Sequence, residues 1–189
     1  MESSGLEAAA GKVECAMGII PHAGISPVIH PSAFIADGAH IIGHVEIAND
    51  ASIWFNSILR GDINAIYVGE RSNIQDGSIV HVTSELPVYI GDDVTVGHGA
   101  IVHGCRIENG SLIGMGAVVL DRAHIGKQAL VAAGAVVREG FVVPDGMLVG
   151  GVPAKVLRAL SDEEKTSLLE SAAHYVRYAG SFRAATMHR

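Results

Sequence analysis

Three histidines, His81, His98 and His103, have the residue type and spacing to hold a catalytic metal ion. A neutral imidazole is a nitrogen ligand for zinc-type metals, and three of them around one ion leave a fourth position open. An ion held in this way keeps its full charge and lowers the pKa of a bound water toward neutrality. The chain has 10 histidines in 189 residues, so most need ordinary explanations. His22, His30, His40, His44, His124, His174 and His188 share no register and read as surface or corner residues. The other three are set apart by the repeat that carries them.

From residue 90 the chain reads IGDDVT, VGHGAI, VHGCR, IENGSL, IGMGAV, VLDRAH, IGKQAL, VAAGAV. Each unit opens on an aliphatic residue and has a small residue four places on, as in Ala100, Ser111, Ala117, Ala123, Ala129 and Ala135. Only the unit opened by Val102 is one residue short. Upstream, Ile35, Ile47, Ile53, Leu59, Val68, Ile74 and Val80 open units in the same way. A period of six does not suit an amphipathic helix, but it suits a short strand and a corner, repeated.

The register ties the histidines together. The step from Val80 to Ile90 carries four extra residues, in a loop around Thr83–Pro87. The repeat resembles that of the hexapeptide-repeat proteins, a resemblance that implies three six-residue sides to a turn; His81 is then one full turn from His103, and Arg60 one turn from His81. Asp76 and His98 form a second column, each two places after an opener. Arg60, His81 and His103 therefore line one side of a prism, and Asp76 and His98 line a neighbouring side. Outward side chains on two sides of a rigid prism cannot reach one point. A site using all three histidines takes His98 from another chain, and a closed threefold ring satisfies that requirement. The expectation is a homotrimer with the metal between subunits.

The rest of the chain narrows the class. Hydrophobic residues make up 49%, aromatics only 5%, with 23 glycines, which fits a narrow, regular core of small and β-branched residues. A net charge of −7 without a basic block argues against nucleic-acid partners. No run of about 18 apolar residues is present, so no membrane-spanning helix is expected. Two cysteines, Cys15 and Cys105, are too few for a disulfide framework, and a reducing, cytoplasmic location follows as the expectation. Residues 1–16 read as a leader outside the fold, with Met17 a candidate natural start. The expected β-helix domain covers residues 17–157, with a helix and tail over 158–189. Within that tail, SDEE from Ser161 is a capping-box signature. Leu168, Leu169, Ala172, Ala173 and Val176 continue it at helical spacing, predicting a helix over 161–180 packed outside the coil.

The repeat over about residues 28–153 resembles the hexapeptide-repeat proteins. The resemblance implies a mainly β fold, a left-handed parallel β-helix with aliphatic openers pointing inward, here with a C-terminal α-helix. The segments RGD (60–62), NIQDGSIVH (73–81) and VGHGAIVHGC (96–105) narrow the match further, and are similar to γ-class carbonic anhydrases. That resemblance implies that His81 and His103 of one chain and His98 of its neighbour hold Zn2+, or Fe2+ or Co2+ in some members. The reaction it implies is hydration of CO2 to bicarbonate. Gln75 would hydrogen-bond the attacking group or the bicarbonate, and Arg60, Asp62 and Asp76 would form a network linking subunits. A charged pair at a seam can also serve only to fix register.

The chain departs from the family's archetype at three places. Ile63 stands where a glutamate follows the RGD aspartate. Ser84, beside Glu85, stands where a glutamate shuttles protons. His174-Tyr175 replaces an Asn-Tyr pair in the terminal helix. Two other functional classes therefore stay in view. One is a metal-stabilised trimer with little or no hydratase activity. The other is a different enzyme on the same coil, a metal-dependent acyl-CoA thioesterase or a hexapeptide transferase.

Overall fold

In the computed structural model, which describes residues 18–186 and side chains through residue 184, the six-residue units become short parallel strands joined by tight turns. The segment read as a leader lies outside the described residues. The strands stack into three faces. On the first face, Phe34–Ile35, Ser52–Ile53, Asn73–Ile74, Thr95–Val96, Leu112–Ile113, Leu130–Val131 and Met147–Gly151 lie in that order, one per coil. On the second, Ile58–Arg60 pairs with Ile79–His81, which pairs with Ile101–His103, followed by Val118–Val119 and Val136–Val137. On the third, Ile66–Val68, Val88–Ile90, Arg106–Ile107, His124–Ile125 and Val142–Val143 follow one another. The His40–Ile47 and Ile58–Val68 strands each turn a corner unbroken, so the second and third faces join into one 12-stranded sheet. The result is the parallel β-helix expected from the repeat.

The core follows from the two inward columns. From Ile47 to Val137 every opener is buried, among them Leu59, Val80, Val102 and Ile113 at 0% exposure. Ile35, in the first complete coil, is only half-buried. Each fully buried aliphatic side chain contributes about 1.5–3 kcal/mol relative to an exposed one. The small partners fit the narrow corners, and where they are serines the hydroxyl donates to a carbonyl of the next coil. Ser57 reaches the Gln75 carbonyl at 2.8 Å, and Ser78 reaches that of Gly97 at 3.0 Å. Left-handed backbone at Gly77 (φ 67°) and Gly99 (φ 66°) turns the corner between the first and second faces, a conformation open to glycine at little cost.

The coil closes with an antiparallel hairpin, Met147–Gly151 against Ala154–Ala159, which covers the last exposed rung. A helix then runs over Asp162–Thr186. Its capping box forms as expected: the Glu164 amide donates to Ser161 Oγ at 3.2 Å, and the Ser161 amide donates to Glu164 Oε2 at 2.8 Å. The helix packs across the first face and runs six residues past the predicted end. Beyond Tyr178, Ala179 is buried against Phe34, Ala36 and Trp54, and the Phe182 ring meets Trp54 edge-on at 5.4 Å. These distant partners from the first coils sustain the extra turns. Among the described residues, no helix is long and apolar enough to cross a membrane.

Candidate metal centre

The predicted columns are present, and the strand register aligns Arg60 with His81 and His81 with His103. Because Val80 and Val102 point into the core, the residues after them point outward. His81 Nδ1 and His103 Nε2 come within 3.0 Å of each other. The two facing nitrogens stand at hydrogen-bond distance, somewhat closer than the roughly 3.3 Å between two nitrogen ligands that each lie about 2.0–2.1 Å from a tetrahedral metal.

Each ring is also held from behind. His81 Nε2 meets Asp62 Oδ1 at 3.1 Å, and Asp62 accepts from Arg60 Nη1 at 2.5 Å. His103 Nδ1 meets Asp121 Oδ1 at 2.5 Å. A carboxylate on the far nitrogen fixes the ring orientation and the tautomer, as it does around metal-ligating histidines. Burial lowers the His81 pKa, the Asp62 hydrogen bond opposes the shift, and the nearby Arg60 charge adds to it. The ring is thereby biased to the neutral form a metal requires. Burial pushes the Asp62 carboxyl up, but hydrogen bonds from Arg60 and His81 outweigh it and hold Asp62 below its ordinary value.

His98 and Asp76 form a second group, with His98 Nδ1 2.9 Å from Asp76 Oδ2. Both sit on the turn between the first and second faces instead of on a flat side, because Gly77 and Gly99 bend the chain directly after them. Gln75, buried beside them, accepts the His98 backbone N–H on Oε1 at 3.2 Å and donates to Asn73 Oδ1 at 3.1 Å. From Asn73 the hydrogen bonds continue through Thr95 to Ser171 of the helix. Tyr175 packs edge-on against Trp54 at 5.3 Å. Burial, and then the negative charge of Asp76, raise its pKa.

One chain thus brings together Arg60, Asp62, His81 and His103, and separately Gln75, Asp76 and His98. Among the described residues, no three His, Cys, Asp or Glu side chains converge as a metal-binding group. The residue that sequence reasoning missed is Asp121. Its signal is the unit opened by Val102: Val102 pairs with Val119, so the short unit shifts the next coil by one residue. Gly104 is the second signal, since a Cβ there would stand 2.8 Å from Asp121 Oδ1. Ser84 and Glu85 lie exposed on a turn in which Thr83 Oγ1 accepts the amides of Glu85 and Leu86.

Known proteins point the same way. Residues 104–139 match the family model described as bacterial transferase hexapeptide (six repeats). A carbonic anhydrase of Geobacillus kaustophilus is 42% identical over 171 residues, covering 90% of this chain and 94% of the relative. Gamma carbonic anhydrase 2, mitochondrial, of Arabidopsis thaliana is 44% identical over 160 residues; the match covers 82% of this chain but 58% of that longer protein. The crystal structure of a hexapeptide transferase family protein from Anaplasma phagocytophilum superposes with a TM-score of 0.84 at 42% identity, covering 87% of this chain and 97% of the other. With that coverage and the histidine columns in place, the chain belongs to the γ-carbonic-anhydrase-like family of hexapeptide-repeat proteins.

Proposed function

We propose that this protein is a metal-dependent carbonic anhydrase that hydrates CO2 to bicarbonate at a three-histidine site between subunits of a homotrimer. The observation that carries the reading is the pair of outward imidazoles, His81 and His103, whose facing nitrogens are 3.0 Å apart. The third ligand is His98 of the partner subunit, on a corner of its own chain that cannot fold back to this pair. An outward apolar column, Ile58, Ile79, Ile101, Val118 and Val136, runs beside the histidines. Ile79 is 41% exposed and Ile101 39% in the single chain, surface that a subunit contact would cover.

The donor set suits Zn2+, with Fe2+ and Co2+ as alternatives of the same ligand preference. When bound, such a metal supplies the Lewis acidity that makes water a nucleophile near neutral pH. The chain's own residues do the remaining work. Asp62 and Asp121 hold the two rings. Gln75, with its oxygen occupied by the His98 amide, keeps a second amide hydrogen to donate to a bicarbonate oxygen. Arg60 is half-exposed beyond its bond to Asp62, and in this reading it pairs across the seam with Asp76 of the partner subunit, as the family resemblance implies.

A second reading, a metal-stabilised trimer without fast turnover, rests on Ile63, 55% exposed where the family's archetype has a glutamate, and on Ser84, which stands where a glutamate shuttles protons. One experiment separates the two. The protein is purified anaerobically, its metal content per trimer is measured, and CO2 hydration is assayed in the zinc, iron and cobalt forms. Stoichiometric metal with hydration supports the enzyme. Stoichiometric metal with no hydration in any form leaves the scaffold, and absence of metal uptake refutes the site.

A further inference from the structure

We propose that Asp121 is a positioning residue for the metal centre, fixing the His103 ring with its proton on Nδ1 so that the Nε2 lone pair faces the metal. The proposal rests on the three-histidine reading above and adds a residue that the family resemblance does not supply. Three observations carry it. First, Asp121 Oδ1 lies 2.5 Å from His103 Nδ1, on the side of the ring opposite the nitrogen that faces His81. Second, the backbone is shaped to allow the contact. The five-residue unit after Val102 brings the corner bearing Asp121 over Gly104. That glycine, at φ 48°, leaves the space the carboxylate fills, since a Cβ there would stand 2.8 Å from Oδ1. Third, the corner is pinned on both sides. The Gly140 amide donates to the Asp121 carbonyl at 2.8 Å, and the Arg122 amide donates to the Gly104 carbonyl at 2.8 Å. The Arg122 guanidinium turns away to Glu139, leaving the Asp121 carboxylate to the imidazole.

Asp121 makes the His103 contact that Asp62 makes with His81 and Asp76 with His98, so every ring has a carboxylate on one nitrogen. Losing such a partner costs about 10–100-fold in metal affinity in comparable centres. The test compares wild-type protein with D121A, D121S and D121N. Zinc affinity is measured by competition with a chelator. The tautomer of His103 is read by 15N NMR of imidazole-labelled, metal-free protein, with thermal unfolding of the metal-free trimer as the folding control. D121A and D121S are expected to weaken zinc binding about 10–100-fold and to move His103 away from the Nδ1–H tautomer, with the metal-free protein folded. D121N, whose amide oxygen still accepts the Nδ1–H, stays within a few-fold of wild type. Should D121A fail to assemble, D121S and D121N decide. Zinc affinity in the folded variants within about twofold of wild type, or an unchanged His103 tautomer, overturns the proposal while leaving the three-histidine site intact. Wild-type protein that takes up no zinc overturns the site itself.

Discussion

A site divided between chains can be rebuilt from two broken chains, and the yield is fixed by how the ligands are distributed. With the proposed site, every seam of His81→Ala lacks the paired ligand and every seam of His98→Ala lacks the donated one. Neither homotrimer is expected to hold zinc tightly. Co-expressed at equal levels, the two chains assort into mixed rings. A seam is then complete only where a His98→Ala subunit, with His81 and His103 intact, receives His98 from a His81→Ala subunit. For random assortment this holds at about one quarter of the seams in a cyclic trimer. His81 approaches His103 to 3.0 Å while His98 sits with Asp76 on a separate corner, and no metal-binding group converges within one chain among the described residues. The assay is zinc per subunit in the purified mixture, with hydration activity as a parallel readout. A mixture that binds no zinc would place all three ligands on one chain and refute the shared site. Full zinc in the His98→Ala homotrimer would remove His98 from the ligand set.

The fold supplies four further predictions. Ile113→Ala empties a fully buried position in the inward column and should cost about 2–5 kcal/mol in chemical denaturation. A methyl at Gly97 would meet the backbone of the next coil, at 2.7 Å from the Met115 nitrogen and 2.9 Å from the Ile113 oxygen. Gly97→Ala should therefore lower stability by about 1–3 kcal/mol and reduce zinc uptake by displacing His98. Gly77→Ala, with open space but φ 67°, should cost only the left-handed backbone penalty of about 1–2 kcal/mol. Arg158, and after it the Ser161 amide, hold the Glu164 pKa down to about 2. A lowered carboxyl stabilises the fold above its ordinary titration range, and that contribution is lost as pH falls through this range toward about 2. Acid should thus loosen the helix start, followed by circular dichroism, and Glu164→Gln should remove this part of the pH dependence.

The coil and the histidine register were legible because the repeat keeps strict phase. An inward aliphatic residue at each opener fixes which neighbours point outward, so His81 and His103 could be aligned across a loop of different length. The same counting placed Asp76 with His98 but not their location on a corner, since glycine geometry and not period sets where a side ends. Asp121 was missed because the short unit at Val102 carries Leu120, not Asp121, into the next rung beside His103, so a strict column does not pair it with the imidazole and only the shift and Gly104 signal it. The end of the helix was hidden for a different reason. Gly180 is of a type that commonly closes helices, yet Ala179 and Phe182 find Phe34 and Trp54, more than a hundred residues away in sequence.

The loop around Thr83–Pro87 interrupts the repeat without disturbing it, because Val82 and Val88 on either side are fully buried and stay in step with their coils. Pitch is set by the rungs, and length is tolerated at the corners. The frame that holds the ligands and the overhang beside them are therefore separately adjustable. A longer or more acidic loop could be grafted between Val82 and Val88 to give this chain a proton-carrying arm while the imidazoles keep their spacing. Divergence within such a lineage can accordingly edit a few overhanging residues, while the frame that carries the histidines is inherited unchanged.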